Sequence, residues 1–96
     1  MKFSIVSKAV VPDVSLIDPE TTLSMSPFLS ACTGIDALVH AIEAFVSTGH
    51  GPLTDPHALE AMRLIGSNLI RMIANPGDIQ LREHVMLGSM QAGLAF

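Results

Sequence analysis

Where this chain can start and stop a helix decides most of what it can fold into. Ser26-Pro27 reads as an N-cap followed by proline at the first helical position, where the missing N–H is no loss. Thr33-Gly34 reads as an interruption or restart, so the main run extends from about 34 to 47. The stretch 48–54 is a Gly- and Pro-containing loop. Asp55 then reads as an N-cap with Pro56 after it, opening a helix to about Ala74. On that helix Glu60, Arg63, Ser67 and Arg71 recur at spacings of three and four, which gives one wet face. Asn75-Pro76-Gly77 stops it, and Asp78 caps a last helix. Its first turns carry Gln80, Arg82, Glu83 and His84 on a wet face, and it ends apolar at Phe96.

The first 25 residues differ. Phe3-Ser4-Ile5-Val6-Ser7 alternates in part, and Val14-Ser15-Leu16-Ile17 is rich in β-favouring residues, with Pro12-Asp13 between them. Residues 18–26 form a loop of Asp, Pro, Glu, Thr and Ser. The expected fold is therefore mainly α: a short β-strand pair at the N-terminus followed by three or four helices. Two short strands make no stable sheet by themselves, and the last helix carries no stop signal. Both ends read as those of a segment with missing neighbours.

Composition sharpens this. Among the 96 residues, 49% are hydrophobic and 15% charged, where soluble domains carry about 25% charge. Small domains have the most surface per volume and should need more polar residues, not fewer. So little charge and so much apolar side chain exclude intrinsic disorder. No stretch of about 18 residues is continuously apolar, which argues against a membrane span. The net charge of −4, five scattered Lys and Arg, and no Trp or Tyr argue against a nucleic-acid partner. The lone Cys32 can form no internal disulfide, and the opening residues lack an apolar run of signal-peptide length. The expected setting is cytoplasmic, with the excess apolar surface covered by homo-oligomerisation.

One segment carries chemistry. Between Gly34 and Val46 every residue is apolar or Gly except Asp36, His40 and Glu43. On a helix Asp36 and His40 lie about 40° apart and about 6 Å along the axis. A carboxylate oxygen and an imidazole nitrogen one turn apart can share a divalent ion, and mixed O/N ligation admits Fe, Zn, Mn, Co or Ni. Two donors do not complete a site. The plain alternative is an ordinary Asp–His pair on a helix face. Glu43, two turns from Asp36, suits a supporting or structural role. His50, His57 and His84 read as solvated, Cys32 as a buried inert thiol, and Gly66, Gly88 and Gly93 as points of close helix contact. No GxGxxG or phosphate-loop pattern occurs.

The run Ala31-Cys-Thr-Gly-Ile-Asp-Ala-Leu-Val-His-Ala-Ile-Glu-Ala-Phe45 resembles the pattern T-A-A-T-G-x-D-A-L-x-H-A-I-E-A-Y of the iron-dependent (group III) alcohol dehydrogenases. Leu23-Ser-Met-Ser-Pro27 resembles the family's L-T-M-P-P loop, with Ser26 in place of its first proline. Thr54 through Ile65 resembles T-D-A-L-A-L-E-A-I-R-L-I, and Leu87 through Phe96 resembles G-S-L-M-A-G-I-A-F. His57 and His84 stand where the family tends to have Ala.

The resemblance implies residues 1–25 as the end of a dinucleotide-binding α/β domain and 26–96 as the first part of an all-helical metal-binding domain. It implies Asp36 and His40 as two metal ligands, and Lys2, Ser24 and Met25 as cofactor-side residues. The cofactors implied are Fe(II), with Zn as the other candidate, and NAD or NADP. The substrate class is a small alcohol, diol or aldehyde. The expectation is a fragment of such an enzyme, inactive alone. The alternative is a non-enzymatic truncated remnant, a self-associating helical module.

Overall fold

A computed structural model describes residues 3–96. Helices α1 (Pro27–Val46), α2 (Asp55–Ala74) and α3 (Ile79–Ala95) form the body, preceded by short 3-10 turns at Lys8–Val10 and Pro19–Thr22. Ser26 caps α1 as expected: its Oγ accepts from the Leu29 amide at 3.1 Å, with Pro27 at the first position. Ser26→Ala leaves that amide without its acceptor and is expected to lower stability by about 1 kcal/mol in urea unfolding. Asp78 caps α3 by accepting from the amides of Gln80 and Leu81. At α2 the cap differs from expectation. Asp55 is the first helical residue, and its carboxylate pairs with His50 Nδ1 at 2.9 Å. The Arg63 guanidinium hydrogen-bonds the exposed Glu60 and holds its carboxyl below the ordinary value. That small contribution is present at neutral pH and disappears as pH falls through the lowered pKa.

Each helix turns a narrow edge inward. This edge is Ser30, Gly34, Ala37, Ala41 and Ala44 on α1, and Leu81, Val85, Gly88, Ala92 and Ala95 on α3. On α2 the matching edge is Ala58, Ala61, Ile65, Asn68 and Met72. The spacing alternates between three and four throughout, the seam of nearly parallel or antiparallel helices. Ala44, Ala58 and Ala95 meet in one layer and Ala41, Ala61 and Ala92 in the next. Larger side chains, Ile65, Leu69, Met72, Leu81 and Val85, gather with Ala37 at the opposite end. These pairings run α2 antiparallel to both α1 and α3.

The small residues set how near the backbones come. A methyl at Gly34 would fall inside the Leu69 side chain, and one at Gly88 would lie 2.7 Å from Ile65 Cγ1. Gly34 therefore does not interrupt α1, which runs unbroken through it; its place is in packing. Gly66 and Gly93, also expected at close contacts, have open space where a methyl would stand, with no neighbour within 4 Å. By length and composition α1 would also pass as a membrane-crossing helix. Here its small-residue edge packs on α2 and α3, while Phe28, Ile35, Val39 and Val46 stay exposed.

The expected N-terminal β-strand pair is absent: no described residue is in a strand. Lys8–Val10 turns instead, and Val6 and Leu16 are 98% and 87% exposed. Alternating, β-branched residues favour extended backbone, but a strand exists only where a neighbour accepts and donates its ladder hydrogen bonds. No such neighbour lies within these residues. The described chain is thus all helical.

Candidate functional site

Asp36 and His40 lie one turn apart on the outer half of α1, next to the buried edge of Ala37 and Ala41. His40 Nδ1 stands 3.7 Å from Asp36 Oδ2, with 37% and 58% of the two side chains exposed. That separation is longer than a hydrogen bond, so the carboxylate does not tie up the ring nitrogen. The Phe96 ring meets the imidazole edge-on, at 4.9 Å between centroids and 85° between planes. This contact limits how the imidazole can turn. The two donors open on a cleft of about 330 Å³ whose walls include Thr33, Ala37, Ser89, Ala92, Gly93 and Phe96. It lies between α1 and the C-terminal half of α3.

A carboxylate oxygen and an imidazole nitrogen on one partly exposed wall fit a divalent ion as two of its donors. Among the described residues no third His, Cys, Asp or Glu joins them. Glu43 opens on a different cleft, with Ser47, His50 and Thr54. The helical spacing therefore brings two of the three stripe residues together.

Of the residues expected on the cofactor side, Ser24 is exposed and Met25 half-buried in the turn between Pro19–Thr22 and α1. The Met25 amide donates to the Thr22 carbonyl at 3.1 Å. Met25 and Thr22 line a second cleft of about 220 Å³ with Ser30, Thr33, Arg82 and Ser89. Thr33, Ala37 and Ser89 belong to both clefts, so the two adjoin. Lys2 lies outside the described residues.

Three residues sit otherwise than their sequence context suggests. Arg82, expected on the wet face of α3, is 2% exposed. The signal was its place three residues before Val85, on the flank of the apolar seam. His57 is half-buried and bonded through Nδ1 to Gln91 Oε1 at 2.6 Å, linking α2 to α3. Cys32 is exposed, because α1 turns that side away from α2 and α3. The His84 side chain is exposed as expected.

Comparison with known proteins finds relatives similar along the whole chain. The model of the C-terminal part of the Fe-containing alcohol dehydrogenase family matches residues 30–96. The NAD-dependent methanol dehydrogenase of Bacillus methanolicus is 40% identical over 96 residues, all of this chain and 25% of that protein. The 1,3-propanediol dehydrogenase of Klebsiella pneumoniae is 43% identical over the same span, again 25% of its length. The crystal structure of a sulfoacetaldehyde reductase from Bifidobacterium kashiwanohense, in complex with NAD+, superposes with a TM-score of 0.92 at 42% identity. That match covers 96% of this chain and 24% of the other. The chain thus spans about a quarter of the length of the curated relatives it matches.

Proposed function

The chain belongs to the Fe-containing alcohol dehydrogenase family, and from that membership we propose that it supplies part of the active site of an NAD(P)-linked dehydrogenase of small alcohols or diols. The observation that carries the reading is the Asp36–His40 pair, 3.7 Å apart on the wall of a cleft. In this reading Asp36 and His40 hold a divalent ion, Fe(II) or Zn(II), together with donors outside residues 3–96. When bound, such an ion supplies Lewis-acid polarisation of an alcohol or carbonyl oxygen. The chain's own contributions are positional. Phe96 restrains the His40 ring, α1 fixes the one-turn offset of the two donors, and apolar Ala37 and Ala92 limit water beside them.

Residues 1–25 are proposed as the end of the dinucleotide-binding domain and 26–96 as the start of the metal-binding one. Supporting this division, Phe3, Ile5, Val6, Val14 and Leu16 lie exposed outside any helix, as they would if strands of another unit paired with them. Ser24 and Met25 are proposed to face the nicotinamide side, with Lys2 nearer the cofactor ribose. A cytoplasmic setting goes with the free Cys32 thiol.

The test is a chimera in which these 96 residues replace the matching quarter of the Klebsiella pneumoniae 1,3-propanediol dehydrogenase. The expected result is NAD(P) reduction with short alcohols or diols that requires Fe(II) or Zn(II) and stops on chelation. A folded chimera that neither retains a divalent ion nor turns over would sink the proposal and leave a non-enzymatic helical module.

A further inference from the structure

We propose that Arg82 is a positioning residue: its guanidinium pins the turn carrying Ser24 and Met25 to the helical body and so sets that turn's place relative to Asp36 and His40. What the turn faces rests on the functional reading above; the grip on it rests on geometry. Arg82 is 2% exposed, and a guanidinium taken out of water must find acceptors. Its acceptors are not carboxylates. Among the described residues, the carboxylates of Asp36, Asp55 and Glu60 lie beside His40, His50 and Arg63 instead.

Arg82 instead donates through Nε to the Pro76 carbonyl at 2.6 Å and through Nη1 to the Thr22 carbonyl at 2.8 Å. Pro76 lies in the turn between α2 and α3, whereas Thr22 is sixty residues away in sequence. The planar fork of the guanidinium holds both at a fixed angle.

Thr22 is a well-chosen handle. Its carbonyl already accepts the Met25 amide that closes the turn. Gripping this oxygen therefore fixes the turn and not merely a passing strand. Apart from packing on α3, no other hydrogen bond among the described residues ties the segment to α2 or α3. Its other hydrogen bonds are local, such as Glu20 to Asp18 and Thr22 to Pro19. The Arg82–Thr22 bond is the one hydrogen bond, among the described residues, from residues 3–25 to α2 or α3. The cleft lined by Thr22, Met25 and Arg82 adjoins that of Asp36 and His40 across Thr33, Ala37 and Ser89. A shift of the turn thus changes the approach of one wall to the other.

The test compares Arg82→Met and Arg82→Lys in the active chimera and in the 96-residue chain. Met keeps the length without the donors, and Lys keeps the charge without the fork. In the chimera, KM for NAD(P) should rise roughly 10-fold in both variants, as loss of a charge-assisted hydrogen bond implies. Metal content should be unchanged and kcat should move far less. In the chain, hydrogen exchange at the Met25 amide should quicken by a similar factor, while exchange at Ile65 stays as it was. A variant with native KM in a working chimera overturns the proposal, as does native protection of Met25. A fall in kcat, metal content and core protection together would instead mean a merely structural role. An inactive chimera carrying native Arg82 would count against the functional reading, and the exchange experiment would still decide the grip on the turn.

Discussion

His40→Ala and Asp36→Ala are expected to abolish retention of the divalent ion by the chimeric enzyme. Metal analysis after gel filtration should show the loss, and activity should fall by more than about 100-fold, the loss seen when even a supporting partner of a metal ligand is removed. Geometry is the reason. The two donors share one wall of one cleft, and their 3.7 Å separation leaves the imidazole nitrogen unspent on the carboxylate. Neither side chain belongs to the packed seam, so the helices should melt as in the parent. Glu43→Gln is the contrast: Glu43 opens on another cleft, and the variant should keep its metal and most of its activity. If His40→Ala retained full metal content, the pair would be an ordinary i, i+4 contact and the metal assignment would be lost.

Ile65→Ala should produce the largest change in stability. Ile65 is fully buried between α1, α2 and α3, among Ala37, Leu69, Met72, Leu81 and Val85. Its truncation is expected to cost about 3 kcal/mol in urea unfolding followed by circular dichroism, since helices held apart by other side chains collapse only in part. Gly88→Ala probes the same contact from the other side. The new methyl would meet Ile65 Cγ1 at 2.7 Å, Leu64 Cβ at 3.2 Å and the Ala61 carbonyl at 3.3 Å. Overpacking should cost about 1–3 kcal/mol, offset in part by the roughly 1 kcal/mol helix preference of Ala over Gly. In the double variant the closest clash is gone and part of the cavity is filled. The two changes should then sum to clearly less than their separate effects, with a coupling of about 1 kcal/mol. Strict additivity would mean that Gly88 and Ile65 do not pack as the structure has them.

Much of both the fold and the site could be read along the chain because it is local. Ser26 and Asp78 accept amide hydrogens from residues two or three positions ahead, so a helix start is written within one turn. Asp36 and His40 adjoin because four residues of α-helix bring them round to one face, whatever packs nearby. Asn75-Pro76-Gly77 ends α2 by its own backbone chemistry.

Other features depend on partners that no window of sequence contains. Phe3–Ser7 and Val14–Ile17 have the pattern of strands, but a strand needs a second one and the described chain offers none. Arg82 looked solvated because arginine usually is. Its burial was decided by two carbonyls, one sixty residues away, that meet only when α3 packs under the Pro19–Thr22 turn. Cys32 and Gly34 are two residues apart on α1, yet one faces out and the other is pressed on Leu69, since only the neighbouring helices define an inside. The sequence by itself determined the helices and the one-turn adjacency of Asp36 and His40, through hydrogen bonds and periodicity spanning a few residues. The tertiary structure alone decided which small residues form the seam, and which cation secures the turn beside the site, because both depend on surfaces brought together from distant parts of the chain.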